Sequence, residues 1–316
     1  MNTTLPTYEY TNHEWRLIED INIISKIADE ASYMILGPQH DVRDSVIQKY
    51  NTHAQIIVMD FNPVNNEMKI ELSNSTQPII SNQDPVSATR ELVNKLTDNS
   101  LIIIDITSLS VQAIFILLLE LKNVASSLKL FATYVTPKAY NVGAKTSSIP
   151  NYILSQKVST IKAIPGFTRE YDQDKAVLFV TLGFEGGRFS QIQQYFENDN
   201  NIRPILPLPS YHAGWHDIAL KGNIDIIHET HSTAVLERFP AIDPFRLFAY
   251  LQQWHDDNPN RNMVVAPIGT KPHALGVALL TVTNSDVVVV FDHPIPKPNR
   301  SLNVDKIWCY CLTGLI

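Results

Sequence analysis

Residues 263–276 read MVVAPIGTKPHALG and residues 101–113 read LIIIDITSLSVQA. Each stretch opens on an apolar run that is too short for a helix and suits a buried strand. Each then turns through small or polar residues, Gly269-Thr270-Lys271 in one and Asp105-Ile106-Thr107-Ser108 in the other, and continues with helical spacing. Strand–loop–helix units of this kind are what a parallel sheet is assembled from, because parallel neighbours need a long crossover between them.

Similar runs predict strands over 33–36, 56–61, 101–106, 130–135, 176–182, 203–206, 263–268 and 286–291. Helical spacing falls over 41–50, 85–96, 111–123, 189–197, 244–256 and 272–281. The fold class is therefore α/β with mainly parallel sheets. Two helices start at Asp84-Pro85 and Asp243-Pro244, where Asp caps the free N–H groups and proline fits the first turn. The halves match in order: SYMILG (32–37) with VLFVTLG (177–183), IIVMDFNP (56–63) with RPILPLP (203–209), then the two Asp-Pro helices, then the two opening stretches. Each half closes on a tetrad ending in proline, YVTP (134–137) and FDHP (291–294).

This pattern predicts two tandem, diverged Rossmann-like units at 1–145 and 176–316, an internal pseudo-duplication, joined by a connector at 146–175. The connector is polar, broken by Pro150, Pro165 and Gly166, and expected to hold a strand or hairpin. A last strand at 306–312 pairs either with the sheet or with a second chain, which would make a homodimer. The helix VQAIFILLLEL (111–121) is apolar nearly all round and suits burial between a sheet and another layer or subunit.

With 44% hydrophobic and 18% charged residues, a chain of 316 residues has enough apolar material for one large core or two ordinary ones. A net charge of −7 argues against a protein that coats nucleic acid. No apolar run approaches the ~20 residues that span a bilayer. The opening MNTTLPTYEYTNHEW lacks a basic and an apolar region, so the expected location is the cytoplasm, with no membrane partner. Cys309 and Cys311 read as residues of the last strand.

In an open parallel sheet the ligand crevice lies outside the carboxyl ends of the strands. The loop Gly269-Thr270-Lys271-Pro272-His273 combines a close backbone approach, a hydroxyl at a helix start and a cation, a set suited to phosphate. Gly183, Glu185, Gly186, Gly187 and Arg188 form a second loop between a strand and a helix, but without GxGxxG spacing. In the first unit Gly37, with Arg43 nearby, and Asp105, Thr107 and Ser108 hold the corresponding places. Arg188 would support Lys271 on phosphate, and Glu185, Asp105 or Asp60 would accept hydrogen bonds from sugar or base.

The stretch MVVAPIGTKPHALG resembles the GTK-type motif of the CRISPR-associated Rossmann-fold (CARF) sensor domains, and IIIDITSLS resembles a diverged version of it. In that family the first-strand loop, here LGFEGGR (182–188), and the GTK-type loop together hold a cyclic oligonucleotide. Two such units in one chain would be similar to the SAVED sensor domains of anti-phage signalling. The resemblance covers the second half and implies binding or sensing of a nucleotide or cyclic oligonucleotide in a defence or regulatory system. Such sensors carry an effector module, for which two sheets leave no room, so a partner protein or the crevice would supply the output.

Two alternatives stay open. One is an enzyme on a nucleotide or sugar phosphate, with a metal held by His212, His216, His228 and His231 near Asp217 and Glu229. The other is a non-catalytic Rossmann-like scaffold in a protein complex.

Overall fold

The computed structural model describes residues 16–316 apart from 45, 74–78, 83, 142–151, 153, 158–160, 197, 199 and 200. The first half runs β1 (Leu17–Ile18), α1 (Ile21–Asp29), β2 (Tyr33–Leu36), β3 (Gln55–Asn62), β4 (Glu67–Leu72), β5 (Ile79–Asn82), α2 (Pro85–Val93), β6 (Leu101–Asp105), α3 (Val111–Leu121) and β7 (Lys129–Tyr140). After β8 (Ser155–Lys157) come β9 (Ala176–Thr181), α4 (Gly186–Phe196), β10 (Ile202–Pro207), α5 (Trp215–Glu229), β11 (Glu237–Phe239), α6 (Pro244–Asp257), β12 (Asn262–Ala266) and α7 (Lys271–Thr283). The chain ends with β13 (Val288–Val289), β14 (Ile295–Pro296) and β15 (Ser301–Cys311).

The larger sheet has the order β1-β15-β7-β6-β2-β3-β4-β5, and its central strands β7, β6, β2 and β3 are parallel. The smaller sheet, β11-β10-β9-β12-β13, is parallel throughout. Apart from β11, added at one edge, both parallel sets place the fourth, third, first and second strands of their unit in that order. The α/β class and the parallel sheets stand as the sequence predicts.

Alternation along the central strands decides what each face meets. In β2 Met34 and Leu36 point to one core and Ile35 to the other, and in β6 Leu101 and Ile103 oppose Ile102 and Ile104. One core is closed by α1 through Ile24 and Ala28. The other takes in α2, α3, α6, α7 and the smaller sheet, so the two units share it. Within it α3 packs on α2, β3 and α7, and α7 packs on α6. That placement accounts for the apolar surface of α3, and Lys122 Nζ closes its end by donating to the Val282 carbonyl at 2.6 Å. Both Asp-Pro starts form the caps they predict: Asp84 accepts from the Val86 N–H and Asp243 from those of Phe245 and Arg246.

Several expectations change. The described residues of 41–50 form turns and a short 3-10 segment (Ile47–Tyr50) instead of a helix. There Asp44 takes the His40 N–H at 2.8 Å and Asp41 takes those of Arg43 and, across the chain, Ser301, so the two carboxylates hold the segment in turns and tie it to the start of β15. The sequence reading also passed over the β3–β4 hairpin, although β4 alternates with Met68, Ile70 and Leu72 inward. The last strand is longer than predicted and lies inside the sheet, between β1 and β7. It pairs with β7 along most of its length and with β1 only at Cys309 and Tyr310, so of the two pairings expected for it the one with the sheet is present. Of the connector, residues 146–151, 153 and 158–160 lie outside the described residues, and β8 pairs with β14. The N-terminal residues 1–15, read for a targeting signal, also lie outside them. Among the described residues no helix is long and apolar enough to cross a membrane.

Candidate functional site

Parallel strands deliver the loops after them, and the N-termini of the helices that follow, to one edge of the sheet. Here those edges of the two units face each other across a cleft of about 180 Å³. It is lined at the starts of α3, α4, α5 and α7 by Ser110, Glu185, Trp215 and Lys271 respectively, so the positive ends of these helices converge on it.

In each unit a glycine lets the loop after the first strand run close against the loop after the third. A Cβ on Gly37 would stand 2.3 Å from the Ser108 carbonyl oxygen, and one on Gly183 would stand 3.1 Å from that of Ile268. Hydrogen bonds tie the same pieces: the Gly37 N–H donates to Ser108 Oγ at 2.8 Å, and the Gly269 N–H donates to Thr181 Oγ1 at 3.0 Å.

Lys271 joins the units. Its ammonium donates to the carbonyls of Ile106 at 2.9 Å, Thr107 at 3.3 Å and Leu109, all in the loop that corresponds to its own. Burial, with Arg300 adding repulsion, pushes its pKa down to about 7. The three carbonyls act in the other direction, because only the ammonium form has three protons to give. Asp105 stiffens the facing loop by accepting from the Thr107 N–H at 3.0 Å and Ser108 Oγ at 2.8 Å, and burial pushes its pKa up to about 6.

Of the residues singled out from the sequence, Gly183, Glu185, Arg188, Gly269, Thr270, Lys271, Thr107 and Ser108 line the cleft. Several are engaged within the protein. Arg188 makes a two-pronged bond to Asp292 at 2.6 and 2.7 Å and donates to the Ile268 carbonyl. Glu185 accepts from the N–H groups of Leu154 and Ser155 and from Ser155 Oγ. Thr270 caps α7 through the His273 N–H and donates to the Ala241 carbonyl.

The others do not line the cleft. Gly37 and Asp105 lie behind it. Gly186 is where α4 crosses Gly222 of α5, and Gly187 meets nothing. His273 is fully buried against the Pro240 carbonyl, and burial pushes its pKa down to about 4. Asp60 stands on the exposed face of β3, opposite Lys69 of the hairpin.

The histidines divide between the two ends of α5. His216 in the first turn and His228 in the last are separated by about 18 Å at 1.5 Å per residue. His212 bonds to the Pro137 carbonyl at 2.8 Å. Among the described residues no three His, Cys, Asp or Glu side chains are placed to hold a metal ion.

Arg43, noted in the sequence beside Gly37, is only 2% exposed, enters from the loop after β2 and donates to the Val135 carbonyl at 3.0 Å. Sequence reasoning missed much of the remaining lining. Asp44 stands beside Arg43, and burial raises its pKa. Lys297 and Arg300 arrive from the segment before β15, which topology alone brings here. An aromatic wall completes the site: Trp215 lies 5.2 Å from Tyr140, 5.5 Å from Phe184 and 6.4 Å from Tyr211 between ring centroids. Compared with known proteins, the chain matches no family model and no curated protein.

Proposed function

We propose that the chain binds or senses a phosphate-bearing ligand, a nucleotide or cyclic oligonucleotide, in the cleft between its two units. The observation that carries this reading is the convergence of α3, α4, α5 and α7 N-termini on a cavity that also holds Lys271, Arg43 and Arg300. The aromatic wall offers faces on which a base stacks. The shared strand order supports the companion reading that the units are diverged copies, of which only the second kept a lysine in its loop. As a sensor the protein would pass its signal to a partner, because Lys271 connects the ligand site to the loop that starts α3. A second reading, catalysis on a nucleotide or sugar phosphate, is favoured by the opposed shifts of Lys271 and Asp105, since titratable groups moved toward neutrality gather at catalytic sites.

A thermal-shift panel of nucleotides, cyclic oligonucleotides and divalent metals on the wild type and Lys271→Ala tests the proposal. A saturating ligand at ~100 times its Kd adds about 2.7 kcal/mol to the folded state. The expected result is a rise in melting temperature with a nucleotide that the variant loses. A rise with metals alone, indifferent to Lys271, would overturn it.

A further inference from the structure

The charge facing the cleft bears on which kind of phosphate it takes. The basic residues lining it are Arg43, Arg188, Lys271, Lys297 and Arg300, and the acids are Asp41, Asp44 and Glu185. Arg188 is neutralised by Asp292, and Glu185 is taken up by the 154–155 backbone. Asp41 stands 3.4 Å from Arg43 Nε. Asp44 faces Lys271, and the two charges attract each other. Lys271 gives its protons to the Ile106, Thr107 and Leu109 carbonyls, so Lys297 and Arg300 remain, and their side chains have neither an acidic partner nor a hydrogen bond among the described residues. A phosphodiester brings one negative charge to this surplus. A phosphomonoester brings up to two, with three oxygens for charge-assisted bonds. The cavity, about 180 Å³, is also smaller than the ~300–1,000 Å³ of sites that enclose drug-sized molecules.

We propose that the cleft takes a phosphomonoester of mononucleotide size, its phosphate at Lys297 and Arg300 and its planar body against Tyr211 and Trp215, and discriminates against phosphodiesters. This rests on the phosphate-binding reading above and narrows it. Arg300 reaches the site from the surface segment between β14 and β15, beyond the ladder that closes the larger sheet. It therefore sets affinity for the terminal phosphate without holding the fold.

Titration calorimetry of the full chain tests this with the four nucleoside 5′-monophosphates, ribose 5-phosphate, the 3′,5′-cyclic mononucleotides and a cyclic dinucleotide. At least one monoester is expected to bind about tenfold or more tighter than its cyclic counterpart. Arg300→Ala is expected to remove about tenfold of monoester affinity, leave the weaker diester binding within about twofold, and keep the wild-type melting temperature. Equal or tighter binding of the cyclic compounds, or a monoester preference unchanged by Arg300→Ala, would overturn the inference and leave the phosphate reading standing. No binding by any of these compounds would overturn both.

Discussion

Each unit sets an arginine a few residues beyond the glycine that follows its first strand, and the two arginines have opposite employment. Arg188, after Gly183, is closed against Asp292 by two short bonds and takes the Ile268 carbonyl as well. Arg43, after Gly37, meets Asp41 at 3.4 Å through Nε alone and holds the Val135 carbonyl and the Tyr134 hydroxyl through Nη1. The first is a rivet between β9's loop and the end of the smaller sheet. The second lines the cleft, and its Nη2 has no hydrogen bond among the described residues. Matching places in a repeated topology thus fix where a side chain stands, while the partners that the rest of the chain supplies decide whether it builds or binds.

Removing each arginine sharpens that contrast. Arg188→Met leaves Asp292, which has no exposed surface, charged and alone, and is expected to cost about 3–5 kcal/mol in urea unfolding. Arg43→Met leaves Asp41 with the Ser301 N–H and is expected to cost about half as much, while weakening ligand binding. Equal losses would show that both arginines are structural. The two glycines give the next largest difference. Gly37→Ala drives a methyl into the Ser108 backbone and is expected to cost about 3 kcal/mol, whereas Gly183→Ala, with more room at Ile268, is expected to cost under about 1 kcal/mol. Reversed magnitudes would break the correspondence between the loops.

How much of this was legible in the sequence follows from the range of each signal. Apolar runs and Asp-Pro caps are local, so the central strands and five of the helices, α2, α3, α4, α6 and α7, fall within a few residues of their predicted places. The 41–50 segment fails because its helical spacing competes with Asp41 and Asp44, whose carboxylates bind amides from residues 40, 43 and 301, and the last of these is invisible locally. The site divides the same way. Lys271 could be singled out because a lysine after a strand and at a helix start is a local pattern. Its partners could not, since Ile106, Thr107 and Leu109 lie in the other half of the chain. Arg300 carried no local signal, because it enters the cleft only once β15 has crossed back to the first sheet.

The corresponding loops after β6 and β12 make the smallest but most direct comparison, because they carry the two shifted groups with opposite sign. Lys271 has a folded pKa of about 7 against 10.5 unfolded, so between those values the unfolded chain holds the extra proton and stability rises with pH. Asp105 has a folded pKa of about 6 against 3.8 unfolded, so between those values the native chain holds the extra proton and stability falls as pH rises. Urea unfolding across both windows reads the two terms separately. Lys271→Met is expected to flatten the upper slope, by about 1–2 kcal/mol because the three carbonyls partly restore the ammonium form, and to leave the lower slope unchanged. Asp105→Asn keeps an acceptor for the Thr107 N–H, so it is expected to flatten only the lower slope and to change stability at neutral pH by under about 1 kcal/mol. Each substitution acting in its own window would establish that the loops meet as a charged clasp on a neutral backbone frame. If Lys271→Met altered both windows, the lysine and the aspartate would instead titrate as one coupled group, and the two loops would form a single electrostatic site.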